Sequence, residues 1–339
     1  MIEPTLDVAV VGAGSWGTAL ARVLAVKGHR VALWAREPEV VRDVQEHKEN
    51  RTFLPGASLP DTLRATGDLP GALEGRELVV SAVPSQFVST VMGEAREALH
   101  PTVQIVSASK GIEVATGRRM DEVLTEILTP DQGHRLTFLS GPSFAAETAR
   151  EEPTAVVVAS RSDAAANAAQ AAFQTDYFRV YTNSDVLGVE LGGALKNVIA
   201  LAAGAVAGLG FGHNTLAALI TRGLAEITRL GVAMGADPAT FSGLAGMGDL
   251  VLTCTGALSR NRTVGYRLGQ GETLEEILAD MRGVAEGVRT VQAVRELARG
   301  ARVEMPISQE VHALLWEGKA PAEAVRDLML RQPRPEVWS

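Results

Sequence analysis

The segment Gly12-Ala13-Gly14-Ser15-Trp16-Gly17 comes directly after an apolar run, Leu6 to Val11, and leads into an amphipathic stretch, Ser15 to Lys27, that Gly28 stops. Strand, glycine turn and helix in that order admit few folds. In the spacing G-x-G-x-x-G the first glycine permits a tight turn and the second lets backbone approach a pyrophosphate. The third lets helix and strand pack closely. The helix N-terminus adds unsatisfied N–H groups and about half a positive charge, so an anion is held there without a basic side chain. Gly12, Gly14 and Gly17 therefore read as a dinucleotide turn, against the blander reading of a glycine loop with no ligand.

The rest of the first half continues the rhythm. Arg30 to Ala35 reads as a second strand, and Glu77 to Val83, Val103 to Ala108, Leu136 to Leu139 and Ala155 to Ala159 as later ones, most followed by a loop and a helical pattern. This predicts an α/β fold with an N-terminal Rossmann-type, doubly wound parallel sheet. From about Ser184 strand-like runs give way to long Ala/Leu/Gly segments of helical period, so the C-terminal domain is expected to be all-helical. Asn183-Ser184-Asp185 supplies N-cap chemistry for its first helix. The boundary is placed there: residues 1–183 for the dinucleotide-binding domain, 184–339 for a helical substrate and catalytic domain.

A net charge of −8 offers no general attraction for nucleic acid or anionic lipid, so an anionic ligand must meet a local cationic pocket. The one cysteine, Cys254, excludes an internal disulfide, and six scattered histidines show no metal-ligand spacing; no metal is expected, and a reducing cytoplasm fits. Val251-Leu252-Thr253-Cys254 is apolar, which suits a buried thiol better than a nucleophile. The run Val8 to Val26 carries turn glycines and Arg22, with acids upstream, unlike a signal peptide. The run Val198 to Phe211 is too short to span a bilayer, so no membrane contact is expected.

Where the second strand ends, a dinucleotide fold using NAD places an acid for the ribose 2′-hydroxyl. Here the residues are Trp34-Ala35-Arg36. Arg36 removes repulsion against a 2′-phosphate and can hydrogen-bond it, which favours NADP(H), while Glu37 leaves a place for NAD(H). Lys110 lies in the loop after the strand Val103 to Ala108, where open sheets bind ligands. Ser140-Gly141-Pro142-Ser143 comes after the next strand; Gly141 allows close backbone approach and Ser143 can cap a helix. Lys196 is the one lysine in a long apolar helix behind Gly192 and Gly193. Burial disfavours its charged form, so it can exchange a proton near neutral pH, unless it snorkels to solvent. Asp249, in the glycine-rich Gly246-Met247-Gly248-Asp249, needs a partner. Ser259-Arg260-Asn261-Arg262 at a helix start suits a phosphate.

Taken in order, Gly12 to Gly17, Ser109-Lys110-Gly111, Gly141-Pro142-Ser143-Phe144-Ala145, Gly192-Gly193-Ala194-Leu195-Lys196-Asn197, Gly246-Met247-Gly248-Asp249-Leu250 and Ser259-Arg260-Asn261 closely resemble the bacterial NAD(P)-dependent glycerol-3-phosphate dehydrogenase family. The loop Asn50 to Gly56 is similar to that family's as well. The resemblance implies reversible reduction of dihydroxyacetone phosphate to sn-glycerol 3-phosphate, a phospholipid precursor. It implies Lys196 as proton donor or acceptor, with Lys110, Gly141, Ser143, Asp249, Ser259, Arg260 and Asn261 around the substrate. It further implies Ser15, Trp16, Arg36, Lys110, Ala145, Arg260, Val284 and Glu286 as cofactor contacts. Hydride transfer with one positioned acid requires no metal.

Two other readings stay open on the residues alone. One is a related two-domain dehydrogenase of β-hydroxy acids or sugar-phosphate acids, which would need a cationic clamp for a carboxylate. The other is a silent cofactor sensor, which has no use for Lys110, Lys196 and Asp249. Apolar surface on the helical domain allows a homodimer.

Overall fold

The structure, a computed structural model, describes residues 4–281, 283–333 and 335–336. The chain forms two compact units, one of residues 1–110 and 118–186, the other of 111–117 and 187–339.

The first unit is built on an eight-stranded sheet: β1 (Asp7–Val11), β2 (Arg30–Trp34), β3 (Leu63–Thr66), β4 (Leu78–Ser81), β5 (Gln104–Ser107), β6 (Leu136–Ser140), β7 (Thr154–Ala159) and β8 (Phe178–Asn183). Their order across the sheet is 8-7-6-5-4-1-2-3. Val8, Ala9, Val10 and Val11 are all 0% exposed, so β1 has no polar face and must be covered on both sides, as parallel strands are. Helices α1 (Ser15–Val26) and α2 (Pro38–His47) come after β1 and β2, and an antiparallel hairpin, Glu49–Asn50 with Leu54–Ser58, precedes β3.

The expectation of a wholly parallel sheet needs correction at one edge. β7 runs antiparallel to β6, and β8 is parallel to β7. Between β6 and β7 stands one five-residue helix, α3 (Ala145–Ala149). At roughly 1.5 Å per residue it cannot run back along a strand rising roughly 3.3 Å per residue, so the chain returns as the strand itself. Helix α4 (Asp163–Phe173), with 11 residues, is long enough for a parallel crossover to β8. Neither β3 nor β8 is among the strands expected from sequence.

Register brings the strand ends to one edge. Val11 aligns with Trp34 and Ser81, Ser81 with Ser107, and Ser107 with Phe138. The loops leaving these strands therefore lie along the carboxyl edge, and the strand order reverses between β1 and β4, the position where open α/β sheets bind ligands.

The second unit is helical, and the helices that bear on its chemistry and packing are α5 (Val186–Gly208), α6 (His213–Ala233), α7 (Asp249–Thr255), α8 (Arg260–Gly269), α9 (Glu286–Ala301) and α10 (Pro306–Trp316). The apolar run judged too short for a bilayer belongs to α5, which has 23 residues and is long and apolar enough to cross one; 89% of its most apolar window is instead buried inside the protein. α5 and α8 meet backbone to backbone. Gly204 and Gly208, four apart on one face of α5, oppose Gly265 and Gly269, four apart on α8. A Cβ on Gly204 would overlap the Arg262 carbonyl oxygen, and one on Gly265 the Leu201 carbonyl oxygen.

One buried carboxylate in this unit, Glu226, is 3% exposed. Glu226 on α6 accepts the backbone N–H groups of Ile307 (2.7 Å) and Ser308 (3.3 Å) in the first turn of α10. Burial nevertheless pushes its carboxyl up to about 7, against the hydrogen bonds and the nearby Arg229. The folded state thus holds the proton more tightly than the unfolded chain. The stabilisation is complete below the ordinary glutamate value of 4.5 and is lost as pH rises through about 7. Unfolding free energy is expected to fall by about 3 kcal/mol across that window relative to Glu226→Gln, which keeps one of the two accepting oxygens and cannot ionise. Urea titrations from pH 4.5 to 8 check this, and parallel curves for the two proteins would refute it.

Candidate functional site

The first group of expected residues sits on the carboxyl edge of the sheet. Gly12 has φ +107°, and a Cβ there would stand 2.9 Å from the carbonyl oxygen of Ala82, the residue after β4. A Cβ on Gly17 would overlap the Gly12 carbonyl oxygen, so helix and turn touch directly. Around Gly14, by contrast, nothing lies within 4 Å of where a Cβ would be. The turn is thus closed on the protein side and open on the other, which leaves room for a ligand to approach the backbone.

Gly14 caps α1 without a side-chain bond, and the first turn holds no acid. The first helical bond runs from the Thr18 N–H to the Gly14 carbonyl, so the N–H groups of Ser15, Trp16 and Gly17 precede it. The indole Nε1 of Trp16 is buried without a hydrogen-bond partner. An orphaned buried donor on a residue of the first turn of α1 calls for a partner that the chain itself does not supply. Arg36, exposed after β2, places Nη2 3.0 Å and Nε 3.2 Å from one Glu37 carboxylate oxygen. The two side chains that pull cofactor choice in opposite directions are therefore paired with each other.

Further along the edge, the Lys110 ammonium donates to the Gly141 carbonyl at 3.1 Å, and the Ser143 hydroxyl donates to the same oxygen at 3.0 Å. Gly141 fits closely: a Cβ would stand 2.9 Å from Val156 Cα. The expectation that Ser143 caps a helix is corrected. The residue at the N-cap of α3 is Phe144, and the Ser143 hydroxyl turns back to Gly141, while Ala145 opens the helix.

The second group lies in the helical unit. Lys196, 7% exposed on α5, donates to Asp249 Oδ1 at 2.7 Å and to Thr253 Oγ1 at 2.8 Å; Asp249 is 1% exposed. The snorkelling alternative is thereby removed, since the ammonium is buried with its counter-ion. Asp249 reaches it because Leu244–Gly248 forms a π turn, with the Gly248 N–H bonded to the Gly243 carbonyl at 3.1 Å, directly ahead of α7. Gly192 lets this turn approach α5: a Cβ there would be 2.5 Å from the Ala245 carbonyl oxygen.

Beside Lys196, Asn197 accepts from the Asn261 amide at 2.9 Å, and Asn261 accepts the Gly287 N–H at 2.9 Å. Ser259 is a buried N-cap of α8 and accepts the Arg262 N–H at 3.2 Å. Arg260 opens that helix. Desolvation holds its guanidinium below the usual arginine range, opposed by Glu286, and Gly283 leaves it room, since a Cβ there would be 2.8 Å from Nη1. Arg260, Glu286 and the segment carrying exposed Val284 thus lie together. Cys254 is buried and its thiol is pushed up to about 12 by desolvation, so it stays protonated.

Two members of this arrangement have no role assigned from sequence. Thr253 stands four residues after Asp249, which puts both on one face of α7, and that spacing is the signal that finds it. Asn197 is adjacent to Lys196, and only its long-range partner Asn261 reveals its place.

Two family models match. One described as the NAD-dependent glycerol-3-phosphate dehydrogenase N-terminus covers residues 7–166, and the corresponding C-terminus covers 185–326. A glycerol-3-phosphate dehydrogenase [NAD(P)+] of Citrifermentans bemidjiense is 59% identical over 97% of this chain and 98% of its own length. One from Geobacter metallireducens is 56% identical over 97% and 98%. The crystal structure of glycerol-3-phosphate dehydrogenase from Coxiella burnetii superposes with a TM-score of 0.92 at 39% identity, covering 96% of this chain and 99% of that one.

Proposed function

This chain belongs to the NAD-dependent glycerol-3-phosphate dehydrogenase family, and on that premise we propose that it reduces dihydroxyacetone phosphate reversibly to sn-glycerol 3-phosphate, using NADPH or NADH, for glycerophospholipid synthesis. The observation that carries the chemistry is the buried ammonium of Lys196 held by Asp249 and Thr253.

When bound at the glycine turn, a nicotinamide cofactor would supply the hydride for C2 of the ketone. Lys196 gives its proton to the C2 oxygen as negative charge develops there, and takes it back in the reverse direction. Asp249 and Thr253 fix the direction of Nζ, and the carboxylate stabilises the ammonium against burial. Asn261, with its carbonyl oxygen engaged by Gly287 and one amide proton by Asn197, holds Asn197 in place and offers the substrate its other amide proton. The Arg260 guanidinium and the Ser259 hydroxyl at the start of α8 supply charge and a hydrogen-bond donor for the substrate phosphate. Lys110, Gly141 and Ser143 line the sheet edge as the remaining substrate contacts. Gly12, Gly14, Ser15, Trp16 and Gly17 hold the pyrophosphate; Arg36, Lys110, Ala145, Arg260, Val284 and Glu286 are the other cofactor contacts. The proposal extends to a cytoplasmic homodimer, supported by the single, buried cysteine and by apolar side chains exposed on the helical unit, among them Phe211 and Val232.

The test follows loss of nicotinamide absorbance with dihydroxyacetone phosphate and with a panel of keto acids. Turnover with the phosphate ester alone supports the proposal; turnover confined to a keto acid overturns it. In the same assay Arg36→Ala is expected to cut the NADPH-to-NADH ratio of kcat/KM by about tenfold, the size of one charge-assisted hydrogen bond to a 2′-phosphate. An unchanged ratio would take Arg36 out of cofactor selection.

A further inference from the structure

Asn50 sits in the hairpin beside the glycine turn, is 0% exposed, and has no part in the chemistry above. Its amide is engaged at both ends. Nδ2 donates to the Ala13 carbonyl (2.8 Å) and to Thr18 Oγ1 (2.8 Å), and Oδ1 accepts the Phe53 N–H (3.0 Å). Thr18, also buried, donates its hydroxyl to the same Ala13 carbonyl at 3.3 Å. The Ser15 hydroxyl closes the contact from the other side by donating to the Phe53 carbonyl at 2.6 Å.

These donors grip the peptide between Ala13 and Gly14. That peptide is trans, so its carbonyl and the Gly14 N–H point in opposite directions. Gly14 is exposed, with nothing near its Cβ position, and a glycine tolerates either sign of φ, so little steric resistance would oppose rotation of this peptide. Two buried donors holding the carbonyl inward turn the Gly14 N–H outward, to join the N–H groups at the start of α1.

We propose that Asn50, with Thr18 as its partner, is a positioning residue for the cofactor: it clamps the Ala13 carbonyl so that the Gly14 N–H is aimed at the pyrophosphate. The role rests on the reading of the glycine turn as a dinucleotide site. It predicts a defect confined to pyrophosphate recognition. In Asn50→Ala the dissociation constant for NADPH, read by nicotinamide fluorescence on the full chain, rises by about tenfold or more, the effect of losing buried network bonds. Thr18→Val, close in shape, gives a smaller rise and serves if Asn50→Ala does not fold. ADP-ribose weakens in step with NADPH, whereas 2′-AMP, which has no pyrophosphate, keeps its affinity; kcat at saturating NADPH and KM for the ketone stay at wild-type values. Variants with a lowered Tm but wild-type NADPH affinity would overturn the role, as would equal losses for 2′-AMP. A wild-type chain that binds neither NADPH nor NADH overturns the dinucleotide reading itself, and this inference with it.

Discussion

Lys196→Ala is expected to lower turnover by about 10²–10⁴ while NADPH binding persists, because a positioned acid contributes about that much and the glycine turn is built from other residues. The variant carries a second consequence. Asp249 is buried, and removing its cation from a buried pair typically costs about 3–5 kcal/mol. Loss of activity alone would therefore not separate chemistry from folding. The double variant Lys196→Ala/Asp249→Ala resolves the two: it removes the buried carboxylate left without its cation, so Tm should recover, while turnover stays at the lowered level. A folded single or double variant with near-normal kcat would remove Lys196 from the reaction.

The second large effect is structural. Gly265→Ala puts a methyl group into the Leu201 carbonyl oxygen, which is helix backbone and cannot rotate away. The helices α5 and α8 must separate, and overpacking of this kind costs roughly 3 kcal/mol. Gly300→Ala on α9 is the matched control, since nothing lies within 4 Å of its Cβ position; there alanine is expected to be neutral or stabilising by up to about 1 kcal/mol. Urea midpoints for both variants check the contrast. Because α5 carries Lys196 and Asn197 while α8 carries Arg260 and Asn261, Gly265→Ala is also expected to lose activity in the molecules that remain folded. Equal stability of the two variants would show that the close approach does not hold the helices.

The parts of this architecture that are legible in sequence are those written in local patterns. Gly12, Gly14 and Gly17 sit at fixed offsets between a strand and a helix, and the helical second half shows its period over long stretches. β8 escapes such a reading although Phe178, Val180 and their neighbours alternate buried and exposed, because Arg179 and Tyr181 break the apolar run that marks the central strands. The direction of β7 depends on the length of α3, which no residue in β7 itself encodes. Lys196 stands out as a charge in an apolar helix, but its partners Asp249 and Thr253 lie 53 and 57 residues away, and only packing brings them together. Ser143 misleads for a related reason: its hydroxyl has a local carbonyl partner in Gly141, which competes with capping.

The π turn at Leu244–Gly248 has a bearing on how this chain can change over time. A wide turn contains one residue more than the α-helical path it interrupts, and it runs without a break into the helix bearing Asp249 and Thr253. Each residue of an α-helix advances the side chains by about 100°, and the wide turn absorbs one such step, so deleting one residue can restore an α-helical turn and leave both partners on the face that meets Lys196. A one-residue change in length is thus absorbed here, whereas substitution is not free: a Cβ on Gly246 would overlap the Phe241 carbonyl oxygen, which is backbone. Residue identity at Gly246, more than length, is what this segment must keep.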